Sequence, residues 1–327
     1  MNFSDSFKSV GKVKLKKIFH VFELICRIWM ARIKFKPEVI YYPPAGPDLI
    51  PILRDIPILL LTRPLFSKTV FHFRAAGISE YLSKAPFWLR SIARYAYGKP
   101  DVAIQLSRLN PCDGEYFSSK KIFIIPNGLE DEALPLLPIH RETRQLVRIL
   151  FVGILRKDKG VMTLLRAARL LARERSDIKI TFIGQFKSVA FEKEAKSYVA
   201  LNHLGLVVEF VGEKVDKEKW EIFKNSDIFC FPSYFNSESF GNVLLEAMMF
   251  ELPIVATLWR GIPDIVKEDI GILIPIKADL LLHDAIRGLI ENPIRRVEMG
   301  RKARKRYLEN YTLGKHLVIM EEVLSEV

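Results

Sequence analysis

The chain has 327 residues, 49% hydrophobic and 27% charged, with 50 Lys/Arg against 38 Asp/Glu and a net charge of +12. That length corresponds to roughly two domains of about 150 residues, and the composition excludes a disordered, collagen-like or disulfide-scaffold protein. The surplus charge is lopsided: residues 1–128 hold 20 Lys/Arg and 9 Asp/Glu, a net of +11, whereas residues 129–327 hold 30 and 29, a net of +1. An anionic partner is therefore expected for the first half alone.

Residues 1–11 are polar, and a lysine cluster follows at Lys12, Lys14, Lys16 and Lys17. The stretch 18–31 is broken by His20, Glu23 and Arg27, too polar for a signal-peptide core. No apolar run reaches about 18 residues, so no spanning helix is expected. Helical spacing is then predicted over 15–33, 49–61 (interrupted by Pro51 and Pro57) and 79–96. Strands are predicted at 39–43, 69–73, 101–106 and 122–126. These make a small α/β domain. A Pro-, Glu- and Arg-rich stretch, 129–145, reads as a hinge.

The second half is clearer. Short, nearly continuous apolar runs at 147–153, 179–184, 207–212, 227–233, 253–257 and 271–276 mostly end in Gly, Pro or Ser. That is the pattern of strands buried on both faces of a parallel sheet. Helical spacing at 161–173, 189–202, 217–225 and 241–250 alternates with them, which predicts a doubly wound domain. Two more helical stretches fill 294–327, split near 311–314. Parallel sheets of this kind bind ligands beyond the carboxyl ends of their strands, so function is sought just after each run. Cys26, Cys112 and Cys230 are odd in number and far apart. They form no CxxC or Cys/His cluster, so neither zinc nor a disulfide framework is implied, and a reducing cytosol fits.

Two segments carry chemistry. In 231–246, a strand end is followed by Glu238, Ser239, Phe240, Gly241, Asn242 and Val243, and Glu246 stands about two turns inside the next helix. Ser239 suits the N-cap and Gly241 a close backbone approach. The free amides of that helix start form an anion site, and the carboxylates suit sugar or ribose hydroxyls. The same spacing also fits an acidic residue near a helix start and another on a solvated face. In 150–160, Gly153 closes a strand, and Arg156, Lys157 and Lys159 stand at its carboxyl end. They could hold a diphosphate without metal, or form a solvated basic loop. Neither GxGxxG nor GxxxxGK[ST] occurs, so a nicotinamide fingerprint and a Walker loop are unsupported. An Asp-x-Asp pair is missing too, which weakens a metal–diphosphate mechanism.

Taken together, the chain resembles the retaining glycosyltransferases of family 4, with the GT-B fold of two Rossmann-like domains. The resemblance runs from about residue 38 to about 311 and is strongest over 147–274. Its pieces include Ile124-Ile-Pro-Asn-Gly128, Phe151-Val-Gly153 with Lys159-Gly160, Ile183-Gly184 and Phe210-Val-Gly212. They continue with Ser226-Asp-Ile-Phe-Cys-Phe-Pro-Ser233, the Glu238/Glu246 pair and Gly261-Ile-Pro-Asp-Ile-Val266. The resemblance implies an acceptor-side domain at 1–138, a nucleotide-sugar domain at 139–310, and a C-terminal helix at 311–327 packing back toward the first domain. Full-length members open with a strand and a Gly-rich loop, so the first domain is expected to be incomplete, lacking one βα unit.

By the same resemblance, Glu246 binds ribose hydroxyls and Glu238 the donor sugar. The amides at Phe240, Gly241, Asn242 and Val243 take the diphosphate. Arg156 and Lys159 neutralise the leaving group, although the family often has Arg where this chain has Ile154. Gly153, Gly184 and Gly212 flank the nucleotide. A family histidine faces the donor sugar, for which His72 and Arg74 are the candidates, sharing one strand face by the period of two. His72 also reads as a core histidine. The implied enzyme is a hexosyltransferase of cell-surface polysaccharide synthesis, using a nucleotide-sugar co-substrate, a glycan or lipid-linked acceptor, and no cofactor or metal. Basic residues interleaved with aromatics over 15–36 and 84–99 suit an anionic membrane surface, or core helices with basic outer faces. Nucleic acid is not expected, because no binding module is visible. The expected location is cytoplasmic, peripheral on the inner face of the membrane. The alternative is a truncated, catalytically inactive membrane-associated GT-B subunit.

Overall fold

The computed structural model describes residues 15–139 and 146–327. Outside them lie the polar start, Lys12 and Lys14 of the lysine cluster, and the end of the 129–145 hinge. The described residues form two compact units. One holds the residues up to Pro126 with Asn236–Ser239 and Val318–Val327; the other holds Asn127–Phe235 and Phe240–Leu317.

In the first half, the elements are α1 (Leu15–Phe35), β1 (Val39–Tyr42), α2 (Leu49–Thr62), β2 (Lys68–Phe73), α3 (Ile78–Lys84), α4 (Phe87–Tyr97), β3 (Val102–Gln105), α5 (Asp113–Tyr116) and β4 (Lys121–Ile124). The strands form one parallel sheet in the order β1-β2-β3-β4. Side chains alternate across it. Tyr42, Phe71, Phe73 and Ala103 pack under the helices with Ile52, Leu59, Leu89 and Tyr97. On the opposite face, Val70, Val102 and Ile104 pack with Ile125 and Val323 near the chain end.

Two sequence expectations change here. The stretch 79–96 is not one helix: Ala85 is extended (ψ 158°) ahead of Pro86, because a proline ring disfavours helical backbone in the residue before it. Conversely, Pro57 lies within α2 without ending it. The bond it removes leads to the carbonyl of residue 53, and Leu53 is exposed, so water can meet that carbonyl.

The second half contributes β5 (Val147–Val152), α6 (Val161–Glu174), β6 (Ile178–Ile183), α7 (Val189–Leu201), β7 (Val208–Phe210), α8 (Asp216–Lys224), β8 (Ile228–Phe231), α9 (Asn242–Met249), β9 (Ile254–Thr257), α10 (Ile262–Ile265), β10 (Gly271–Ile274), α11 (Asp279–Glu291), α12 (Pro293–Asn310) and α13 (Leu313–Ser325). Its six strands are parallel in the order β10-β9-β8-β5-β6-β7. The expected α/β class with two parallel sheets is therefore present. Ile149, Phe151, Ile180, Phe182, Ile228 and Val255 sit in its main core, as continuous apolar strands require. No described helix is long and apolar enough to cross a membrane.

Candidate functional site

The strand order of the second unit creates one special place. The chain winds from β5 outward through β6 to β7, then returns to the other side of β5 for β8, β9 and β10. Loops leaving β5 and β8 diverge there, opening the crevice in which doubly wound sheets hold ligands. Gly153, Arg156 and Lys159 follow β5, and the 232–241 segment follows β8.

Three glycines floor the β5 side. Gly153 donates its N–H to Ile183 O (3.0 Å) and Gly184 donates to Gly212 O (2.8 Å). All three have positive φ, at 153°, 142° and 74°. A Cβ on Gly184 would lie 1.9 Å from Gly153 O, so the chains approach as closely as they do only because side chains are absent.

Beyond Gly153, Lys157–Lys159 make one turn of 3-10 helix, ended by Gly160 at φ 79°. Tyr234 donates its N–H to Asp158 O (2.7 Å), tying this turn to the segment after β8. Arg156 forms a two-point pair with Asp158, with Nη2 at 2.6 Å from Oδ2, and lies 4.6 Å from the Phe235 ring centre. The Lys159 ammonium sits 4.9 Å from the Phe235 ring centre and 5.4 Å from that of Phe231. The two cations thus differ: Arg156 is neutralised by its neighbour, and Lys159 is held over aromatic faces.

The helix after β8 starts later than its sequence predicts. α9 begins at Asn242 and its N-cap is Gly241 (φ 81°), with no side-chain cap. Ser239 is not the cap: its hydroxyl donates to the carbonyl of Arg74. Leu244 N bonds back to Gly241 O (2.8 Å), whereas the amides of Asn242 and Val243 have no partner within the helix. Asn127 Nδ2 donates to Asn242 Oδ1 beside them (2.8 Å). Phe240 is buried edge-on to Tyr311, and Val243 is half-buried.

Glu246, one turn into α9, is buried apart from 13% of its side chain and pairs with Lys219 of α8 at 2.7 Å. Oε2 is buried with no hydrogen-bond partner, a state that costs about 1–3 kcal/mol unless a ligand donor supplies the bond. Burial pushes its carboxyl up from the ordinary 4.5, with Lys219 opposing that shift. The native state therefore holds this proton more tightly, and the stability linked to it is present below pH 4.5 and lost as pH rises through the folded value. Lys219→Met should steepen that loss and cost about 3 kcal/mol at neutral pH. The double variant with Glu246→Leu should recover most of it, as read by denaturant unfolding across pH. Equal costs for the single and double variants would contradict the pairing.

The other named residues belong to the first unit. His72 is fully buried, and the Tyr41 hydroxyl meets its Nδ1 at 2.5 Å. β2 ends at Phe73 and Arg74 N donates to His72 O (3.0 Å). The chain therefore turns after the strand, with His72 buried and Arg74 exposed. Burial pushes the Tyr41 phenol up, and the charge of Arg74 opposes that push. Glu238 and Ser239 group with these residues. Asn110 Nδ2 donates to Ser239 O (2.7 Å), and both Glu238 and Ser239 are buried.

Lys219, Tyr41 and Asn110 escaped the sequence reading. Lys219 is 27 positions from its partner, on a helix that reads simply as charged. Tyr41 could have been found by pairing adjacent parallel strands, since Tyr41↔Val70 register brings it beside residue 72. Among the described residues no group of three or more His, Cys, Asp or Glu could hold a metal ion.

The family model described as "Glycosyl transferases group 1" matches residues 138–306. The D-rhamnosyltransferase WbpZ of Pseudomonas aeruginosa is 28% identical over 223 residues, covering 63% of this chain and 56% of that protein. The chain spans about half the length of the curated relatives it matches. Among solved structures, sucrose-phosphate synthase from Thermosynechococcus elongatus superposes with a TM-score of 0.75 at 19% identity, covering 96% of this chain and 80% of that one. HepE from Anabaena, in complex with UDP and glucose, gives 0.70 at 17%, covering 93% and 82%. At such identities these structures establish the fold, which is the GT-B type.

Proposed function

Because the chain belongs to the group 1 glycosyl transferases, we propose that it is a retaining hexosyltransferase of family 4. It moves a sugar from a nucleotide-sugar donor to a glycan or lipid-linked acceptor in cell-surface polysaccharide synthesis, with no cofactor or metal. The observation that carries this reading is Glu246: a buried carboxylate with one oxygen bound by Lys219 and the other lacking a donor, beside a helix start. A vicinal diol supplies the missing donor, and a diphosphate suits the free amides. The relative's name records rhamnosyl transfer, and the HepE structure contains UDP and glucose.

In this reading Glu246 takes the ribose, and the amides of residues 240–243 hold the diphosphate. Lys159, assisted by Arg156, offsets charge on the leaving group. The bond from the anomeric carbon to the phosphate oxygen breaks as the bond to the acceptor oxygen forms on the same face. The acceptor's proton passes to the departing diphosphate. The protein's main contribution is fixed charge and dipoles aimed at that leaving group. The roles of Glu238, His72 and Arg74 toward the donor sugar carry over from the family resemblance.

The test is a thermal-shift screen of nucleoside diphosphates, followed by release of nucleotide from sugar nucleotides. Ligand at about 100 times Kd should stabilise by about 2.7 kcal/mol, raising Tm on the order of 5 °C, and Glu246→Gln should abolish that shift. Binding without turnover, with or without acceptor, would favour the inactive-subunit reading. No shift with any nucleotide would refute the donor site.

A further inference from the structure

The helical layer of the first unit has an outer face that carries none of the residues assigned above to donor binding or catalysis. α2 lies between α1 and α4 and packs against both. The inner sides of these helices join one core over the sheet. On its outer side α1 exposes Phe22, Met30 and Ile33 at 67, 60 and 77%, and α4 exposes Trp88, Ile92 and Tyr95 at 59, 39 and 81%. The α4 set follows i, i+4, i+7 spacing, and the α1 set continues 22-26-30-33, so each forms one stripe along its helix. Single exposed apolar residues are ordinary, but stripes on helices of one layer form a patch that implies a partner.

Charge identifies the partner. Within α1 and α4, Arg27, Lys34 and Arg94 are exposed. The only acid within α1 and α4 is Glu23, and Arg27 already pairs with it. We infer that this face docks the chain on an anionic lipid bilayer. The aromatic stripes lie at the headgroup boundary and the basic residues on the phosphate groups, as interfacial helices do. A second copy of the chain is a poor occupant, because two equally basic faces repel. The helices lie on the bilayer rather than crossing it, given that no described helix is long and apolar enough to span. This inference is independent of catalysis: a docked chain without transferase activity satisfies it equally.

The experiment is co-sedimentation of the full chain with phosphatidylglycerol/phosphatidylcholine vesicles, set against vesicles of phosphatidylcholine alone. Binding should require the anionic lipid and weaken with added salt. Trp29 and Trp88 are two of the four tryptophans, so their emission should shift to the blue on binding. The double variant Trp88→Glu with Tyr95→Glu should lower partitioning tenfold or more. Its thermal midpoint and nucleotide-induced shift should stay at the wild-type values, since both positions are exposed. Wild-type chain that stays in the supernatant would overturn the inference. So would a double variant that binds as well as wild type, or a concentration-dependent dimer that the same substitutions dissociate.

Discussion

Lys159→Ala should lower kcat/KM for sugar transfer about hundredfold or more, while costing little stability. Removing one preorganised group that stabilises developing transition-state charge typically costs a factor of about 100–1000. Lys159 is preorganised in that sense. Its backbone is set by the 3-10 turn and by Gly160 at φ 79°, and its ammonium rests against the Phe231 and Phe235 rings. Those ring contacts are worth about 0.5–1 kcal/mol each at partly exposed sites, so the variant should still fold. Arg156→Ala should cost less, about tenfold, because Asp158 already neutralises much of its charge. Steady-state kinetics with a sugar nucleotide separates the terms. A fall in kcat means Lys159 acts on charge that develops in the transition state; a rise in KM alone means uniform donor binding. If Lys159→Ala transfers at the wild-type rate, the leaving-group assignment is wrong.

Gly184→Ala and Gly160→Ala should each destabilise the second unit by about 2–5 kcal/mol. The cost combines about 1–2 kcal/mol for a side chain in a left-handed conformation with about 1–3 kcal/mol of overpacking. Both glycines have positive φ, and a Cβ would meet backbone that cannot swing aside. The distances are 1.9 Å to Gly153 O for Gly184 and 2.1 Å to Pro232 O for Gly160. The comparison is Gly212→Ala. Its φ is 74°, yet nothing lies within 4 Å of the new Cβ, so it should cost only the conformational part, about 1 kcal/mol. Chemical denaturation of the three variants gives the order directly. A Gly212 variant as unstable as the Gly184 variant would mean that conformation, not close approach, sets the requirement. Donor affinity should fall with Gly160 and Gly184, because both place the backbone of the crevice.

The ten strands of the described residues were legible in the sequence as short apolar runs, unbroken where both faces are buried, as in β3, β8 and β9. Gly153, Gly184 and Gly212 marked where the β5, β6 and β7 runs stop. Local chemistry also placed Glu246 on a helix behind a glycine turn and Lys159 in the loop after β5. Their partners were not legible. Lys219 faces Glu246 only because α8 and α9 flank neighbouring strands, and Tyr41 reaches His72 only through parallel register. Ser239 looks like a cap in isolation, yet α9 starts only at Asn242 behind Gly241, and the Ser239 hydroxyl donates to the Arg74 carbonyl. The break at Pro86 was a local signal outweighed by helical spacing on both sides.

Hydrophobic period and turn residues are properties of a few consecutive positions, so the chain by itself determined its strands, most of its helices and its class. Strand order, the crevice between β5 and β8, and the pairing of buried charges depend on contacts across tens to hundreds of positions. No local pattern encodes these, and the packed tertiary structure alone decided them.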